Sequence, residues 1–304
     1  MKALVTGVAG FIGSTLAERL IADGADVVGL DCFTDYYPRA VKERNLAALS
    51  AGPRFRFVES TIRDADLAAV LSDRTHVFHL AAQAGVRKSW GADFSVYTVN
   101  NIEATQVLLE AACRVPTLER IVYASSSSVY GDNVAMPMRA DALPQPVSPY
   151  GVTKLAGEQL CYLYHANYGV PTVSLRYFTV YGPRQRPDGG VVAALVDAAA
   201  AGKSPTITGD GRQTRDLVFV DDAVDALVRA GTRGSGLVVN VGTGEQTSIR
   251  ELWNLVSGGH GAEPIKAPAR PDELPRFAVS PVRARIHLGW SPWTSVADGL
   301  RQTR

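Results

Sequence analysis

A short apolar run, Lys2-Ala-Leu-Val-Thr6, feeds directly into Gly7-Val-Ala-Gly10-Phe-Ile-Gly13, after which Leu16, Leu20 and Ile21 recur on one face at helical spacing. Strand, glycine turn and helix in that order leave few folds open. Gly7 permits a tight turn, Gly10 lets backbone approach a pyrophosphate, and Gly13 lets the helix pack closely on the strand with its N-terminus facing the phosphate. The next apolar run, Ala25-Asp-Val-Val-Gly-Leu30, ends in Asp31, 18 residues beyond Gly13. An acid at that place holds the adenosine ribose hydroxyls and repels a 2′-phosphate. Cys32 and Phe33 follow without a compensating cation, so NAD is favoured over NADP.

Further strand-like runs at residues 55–59, 76–80, 120–124 and 172–176 are separated by helical stretches, the pace of a doubly wound parallel sheet. The expected class is therefore α/β, a Rossmann-type sheet. After about Thr179 prolines and glycines become frequent and the helices shorten, which implies a smaller C-terminal substrate-binding lobe. The expected division is an NAD-binding domain over 1–178, with later segments such as 215–242 returning to it, and a lobe drawn mainly from 179–304.

A chain of 304 residues, 46% apolar and 20% charged, can bury one large core or two. Its net charge of +1 carries no long single-sign run, which argues against a dedicated nucleic-acid or anionic-membrane surface. Local residues must therefore meet any anionic ligand. Cys32, Cys113 and Cys161 are scattered without C-x-x-C spacing, which suggests neither a disulfide framework nor a zinc site; they read as buried thiols in a reducing compartment, and no metal is expected. No apolar stretch approaches about 18 residues, so the expected location is the cytoplasm.

Tyr150-Gly-Val-Thr-Lys154 follows Ser148, a good helix cap, and Pro149, which suits a first turn. Tyr150 and Lys154 then share one helical face, an ammonium beside a phenol. A neighbouring cation favours the ionised phenol, which can take a proton from a substrate hydroxyl. Upstream, the strand expected at 120–124 runs into Ser125-Ser-Ser-Ser128-Val-Tyr130-Gly131, at the sheet edge where ligands sit. His79, in His79-Leu-Ala-Ala-Gln83, reads as satisfying a buried hydrogen bond. Beyond Thr179, Arg184, Arg186, Arg215 and Arg270 fall in turn-rich loops. Singly each reads as a surface charge, but together they fit a lobe that grips a polyanion, because guanidinium forks match phosphate oxygens.

These motifs occur in the order Thr6-Gly7-x-x-Gly10-Phe-Ile-Gly13, His79-Leu-Ala-Ala82, Asn100, Ser125-Ser126 before Val129-Tyr130-Gly131, Tyr150-x-x-x-Lys154, Leu175-Arg-Tyr-Phe178, Arg215-Asp216 and Asn240-x-Gly242-x-Gly244. The chain thereby resembles the extended short-chain dehydrogenase/reductase family, in its nucleotide-sugar epimerase/dehydratase branch, over nearly its whole length. That resemblance implies NAD contacts from Gly7, Gly10, Phe11, Ile12, Gly13, Asp31, Ile62, Leu80, Ala81, Gln83, Asn100, Tyr150, Lys154 and Tyr177. It implies Tyr150, Lys154 and Ser126 as catalytic residues, and Arg215 and Arg270 as holders of the nucleotide diphosphate. Two places depart from the pattern: Thr61 stands where the family has Asp at the adenine edge, and Arg270-Pro-Asp272-Glu273 replaces Arg-x-Gly-Asp. A homodimer paired through helices around 93–113 and 149–168 is also implied.

Dehydratases of this branch have Asp-Glu where this chain has Ser127 and Ser128, and decarboxylases have Glu at the second of these places. Epimerisation, an oxidation and re-reduction at one carbon, is the reaction that remains. The serine run together with Phe178-Thr179-Val-Tyr-Gly-Pro-x-x-Arg186-Pro-Asp resembles UDP-glucuronate 4-epimerases, with Gly189 standing where those have Met. A sugar carboxylate wants hydroxyl donors and a cation, a set that Ser127, Ser128, Thr179 and Arg186 can supply, with Arg87 as a second cation. The expected reaction is thus conversion of UDP-glucuronate to UDP-galacturonate through a transient 4-keto sugar. UDP-glucose or UDP-N-acetylglucosamine 4-epimerisation and a non-catalytic NAD-binding role are the alternatives.

Overall fold

A computed structural model describes the whole chain except residues 37, 133–134, 187, 270–275 and 304. Seven parallel strands form its central sheet: β1 (Lys2–Thr6), β2 (Asp26–Asp31), β3 (Phe55–Glu59), β4 (His76–His79), β5 (Arg120–Ser126), β6 (Thr172–Tyr177) and, beside β6, Val238–Val241. Their order runs from Val238–Val241 through β6, β5, β4, β1 and β2 to β3. The direction of winding therefore reverses between β1 and β4, which opens a crevice at the carboxyl ends of those two strands.

Both faces of the sheet are covered, and the side-chain alternation of the strands says why. Ala3, Val5, Val27, Phe78 and Val122 point to the face packed by α1 (Phe11–Ala22) and α2 (Arg39–Ser50). Leu4, Val28, Val77, Ile121 and Tyr123 point to the other, against helices Ala104–Ala112 and Pro149–Tyr168. The first of these cores continues through helix Val220–Ala230 to Trp253 and Trp290. Outside the main sheet, Thr179–Tyr181 pairs in parallel with Leu217–Phe219, and Thr214–Arg215 pairs antiparallel with Thr247–Ser248.

Of the three cysteines only Cys161 is buried; Cys32 is half-buried and Cys113 exposed, so the expectation of three buried thiols holds for one of them. Cys113 is exposed because it caps the end of helix Ala104–Ala112, where the chain turns outward. Among the described residues no helix is long and apolar enough to cross a membrane, and no His, Cys, Asp and Glu cluster could hold a metal ion.

Candidate active site

Where β1 ends, Gly7 adopts φ +71°, and a Cβ there would lie 2.8 Å from the Ala81 amide nitrogen. Any side chain would push β4's continuation away from the turn. At Gly13 a Cβ would come within 2.2 Å of the Gly7 carbonyl, so α1 lies on the turn only because that side chain is missing. The first amides of α1 then face the crevice, the arrangement that suits a pyrophosphate. Asp31 at the tip of β2 is held by two backbone amides, Ala9 N at 3.1 Å and Phe33 N at 3.0 Å.

These groups line a cavity of about 550 Å³ that runs from the glycine turn to Tyr150. Its wall contains all fourteen positions implied as NAD contacts, together with Ser126, Thr179 and Arg186. A glycine turn at a helix N-terminus, a fixed carboxylate and the unpartnered, buried Tyr177 hydroxyl make a wall that fits a dinucleotide.

The fold brings in residues that local spacing does not reveal. Lys42, from α2, reaches Asp31 at 3.4 Å with both side chains buried. The cation looked for directly after Asp31 is thus supplied 11 residues later, by the helix packed across it. Asn101 stands behind the wall, next to its neighbour Asn100, which lines it. Residues Thr98–Glu103 form a π-helical turn, and the extra residue in it lets both asparagines point usefully. Asn100 lines the cavity, whereas buried Asn101 holds Gln83 from both sides, accepting from its amide at 2.7 Å and donating to its carbonyl at 3.1 Å. At the Thr61 departure the hydroxyl donates to Asp64 at 2.6 Å, and both residues line the cavity, so a carboxylate stands at this edge after all.

The far end of the cavity, where Ser126, Tyr150 and Lys154 meet, is built on β5 and helix Pro149–Tyr168. Ser148 caps that helix, accepting from the Gly151 amide at 3.1 Å, with Pro149 in the first turn. Lys154 lies almost wholly buried, donates to the Ala124 carbonyl at 2.8 Å and sits over the Tyr123 ring. Burial pulls its ammonium down to about 8. Burial likewise pushes the Tyr150 phenol up to about 12, with the Ser126 hydroxyl opposing the rise. This is opposite in direction to the depression expected from the Tyr/Lys spacing, because desolvation is the dominant effect on the phenol and only the Ser126 hydroxyl opposes it. His79 is fully paired between Thr6 at 2.8 Å and Thr105 at 2.9 Å, and burial drops it to about 3, so it is a neutral structural strut.

Not every expected substrate residue reaches the cavity wall. Ser126 begins a 3₁₀ turn over Ser127–Val129, which carries Ser127 inward and leaves Ser128 bonded to the Ser126 hydroxyl at 3.1 Å. Arg87 lies exposed on another 3₁₀ turn, outside the wall. Arg215 also lies off the wall and donates to the Thr214 carbonyl at 2.7 Å, while its neighbour Asp216 collects the amides of Thr243, Gly244 and Val279. Arg270 and Glu273 fall outside the described residues. Arg184 is committed to Glu18 of α1 at 2.8 Å and so ties its loop to the sheet's first helix. Arg186 does reach the wall, with its guanidinium donating to the Tyr36 carbonyl at 3.2 Å and to Asp188 at 3.3 Å.

Comparison with known proteins agrees with this geometry. The chain matches the model of the NAD dependent epimerase/dehydratase family over residues 3–242. It is 44% identical to the UDP-glucose 4-epimerase of Mycolicibacterium smegmatis, with 100% of this chain and 97% of that protein aligned. A probable UDP-glucuronate 4-epimerase of Rhizobium meliloti is 34% identical, over 99% of this chain and 95% of its own length. The crystal structure of UDP-glucuronic acid 4-epimerase from Bacillus cereus with UDP-glucuronic acid and NAD superposes with a TM-score of 0.92. It shares 42% identity and covers 100% of this chain and 98% of that one.

Proposed function

Because the chain belongs to the NAD dependent epimerase/dehydratase family, we propose that it is an isomerase that inverts carbon 4 of a UDP-sugar, and that the preferred sugar is glucuronate. UDP-galacturonate is then the product. The relatives divide between UDP-glucose and UDP-glucuronate, so the choice between sugars rests on the cavity. One observation carries it: Arg186 and Thr179 share the wall with Ser126, Tyr150 and Lys154. A cation and a hydroxyl beside the reacting end suit a carboxylate at carbon 6 and are superfluous for a hydroxymethyl group.

In this reading NAD lies along the wall from Gly7–Gly13 and Asp31 to Tyr150, Lys154 and Tyr177, and when bound it supplies reversible oxidation at carbon 4. Tyr150 removes the proton of the 4-hydroxyl and later returns one to the same oxygen. Ser126 orients that oxygen by hydrogen bonding, and the buried Lys154 ammonium favours the phenolate while the proton is away. The phenol at about 12 holds its proton firmly until the site is loaded. Arg186 and Thr179 hold the carboxylate, with Ser127, Ser128 and Arg87 as further donors if the sugar draws those turns in. Arg215 and Arg270 meet the diphosphate. Fixing the carboxylate also guards the 4-keto uronate, a β-keto acid, against loss of carbon dioxide. We place the protein in the cytoplasm as a homodimer.

The test is to incubate purified protein separately with UDP-glucuronate, UDP-glucose and UDP-N-acetylglucosamine and to resolve the products. UDP-galacturonate forming with the highest specificity constant is the expected result. Preference for a neutral sugar would replace the uronate reading, and inertness towards all three would leave an NAD-binding protein without this chemistry.

A further inference from the structure

Arg186 does not stand alone at the cavity wall. Its guanidinium carbon lies 3.9 Å from the centroid of the Tyr36 ring, and its Nη1 donates to the carbonyl of the same residue at 3.2 Å. Lys88 also lies over that ring, at 5.5 Å. Tyr36 is half-buried, lines the cavity, and comes from the loop that follows β2, 150 residues before Arg186. Its place is built into the backbone opposite. A Cβ on Gly85, whose φ is +103°, would come within 2.5 Å of the Tyr36 hydroxyl, so the bare backbone of Gly85 leaves room for the tip of the ring. Tyr97 closes the neighbouring side, donating to the Gly85 carbonyl at 2.7 Å and meeting Tyr150 edge to face at 6.3 Å. Tyr36 is thus seated between the substrate arginine and the catalytic tyrosine's surroundings.

We propose that Tyr36 is a specificity-determining positioning residue, whose ring is the platform that holds the Arg186 guanidinium flat and aimed at the carboxylate of a uronate. The inference rests on the uronate reading given above. A flexible arginine loses less freedom on gripping an anion when an aromatic face has already fixed its plane. The ring face does this, and the hydroxyl does not. Arg186 grips the carboxylate in substrate and transition state alike, so loss of the platform weakens binding and leaves the chemical step nearly unchanged.

Tyr36→Leu keeps the bulk of the seat and removes the π face; Tyr36→Phe keeps the face and removes the hydroxyl. With the NAD-loaded protein, Tyr36→Leu should raise KM for UDP-glucuronate about tenfold, with kcat changed by less than about threefold. The specificity constant for UDP-glucose should stay within about twofold, and Tyr36→Phe should restore wild-type values for both sugars. Equal losses for the two sugars, or a Tyr36→Phe variant as impaired as Tyr36→Leu, overturns the proposal, as does a Tyr36→Leu variant that matches wild type. If Tyr36→Leu shows no cooperative melt, Tyr36→Met, which also fills the seat without a π face, must give the same selective rise in KM or the proposal fails. Wild-type protein inert towards UDP-glucuronate sinks the uronate reading itself and this inference with it, whereas active wild-type protein with unselective variants sinks the inference alone.

Discussion

At the scale of single residues, the proposed function assigns proton transfer to Tyr150 and recognition to Arg186. Tyr150→Phe removes the hydroxyl and leaves the ring in contact with Tyr97, so the fold and NAD retention should survive while turnover falls by about 10²–10⁴. Near-normal turnover would mean that another group moves the proton. Arg186→Ala tests the other half. The arginine side chain is only 16% exposed, and truncating it leaves a bound carboxylate short of a charged partner, at roughly 3 kcal/mol or ~10²-fold in the specificity constant for UDP-glucuronate. The constant for UDP-glucose should fall much less; if both fall by one factor, Arg186 serves the shared diphosphate. The residues that sequence order could reveal are those whose partners are close along the chain: the glycines, Asp31 through its distance from them, and Tyr150 with Lys154 one turn apart. Lys42, Tyr36 and Asn101 escaped because each owes its role to packing across the fold, to Asp31, Arg186 and Gln83 respectively.

Elements were legible for the same reason. β3 spans the five residues expected of it, and β5 and β6 only lengthen by two and one residues at the cavity end, where the expected runs stopped short of polar residues. The π-helical turn at Thr98–Glu103 left no trace in the apolar pattern, because one added residue in a helix changes register and not composition. How elements lock together is seen at His79, which joins β4 to β1 through Thr6 and to helix Ala104–Ala112 through Thr105. Burial holds it near 3, below the ordinary value of about 6.5. Between those values the unfolded chain binds a proton that the folded one refuses, so His79 withdraws stability as pH falls through about 6.5 towards about 3. The loss from this residue is about 2 kcal/mol by pH 5. Urea midpoints measured at pH 7 and pH 5 should show it, and His79→Gln, which cannot titrate, should flatten that part of the difference. An unchanged pH dependence in the variant would assign the acid sensitivity to other groups.

On the scale of the whole molecule, helix Pro149–Tyr168 is packed on one side and open on the other. Its inner face carries Lys154, Glu158 and Cys161 into the structure, and Glu158 forms a buried two-pronged pair with Arg176 of β6 at 2.8 and 2.7 Å, so the helix cannot roll. Its outer face leaves Val152 and Leu163 exposed at 46% and 48%, Tyr162 on its flank and Tyr168 at its end are exposed too, and the neighbouring stretch adds Trp90, Phe94 and Val96. Val152 and Leu163 lie 11 residues apart, three turns along one side. Apolar side chains gathered on two adjacent helical stretches suit the proposed homodimer, since a two-fold partner presenting the same face would cover them. A dimer of twice 32.5 kDa is therefore expected in sedimentation at micromolar concentration. Val152→Glu combined with Leu163→Glu places four carboxylates in the interface of a two-fold dimer and should leave a monomer with a wild-type circular dichroism spectrum. Every cavity residue named above belongs to one chain, so that monomer should keep measurable turnover. Wild-type protein sedimenting as a monomer, or a doubly charged variant that stays dimeric, would move the contact to another face.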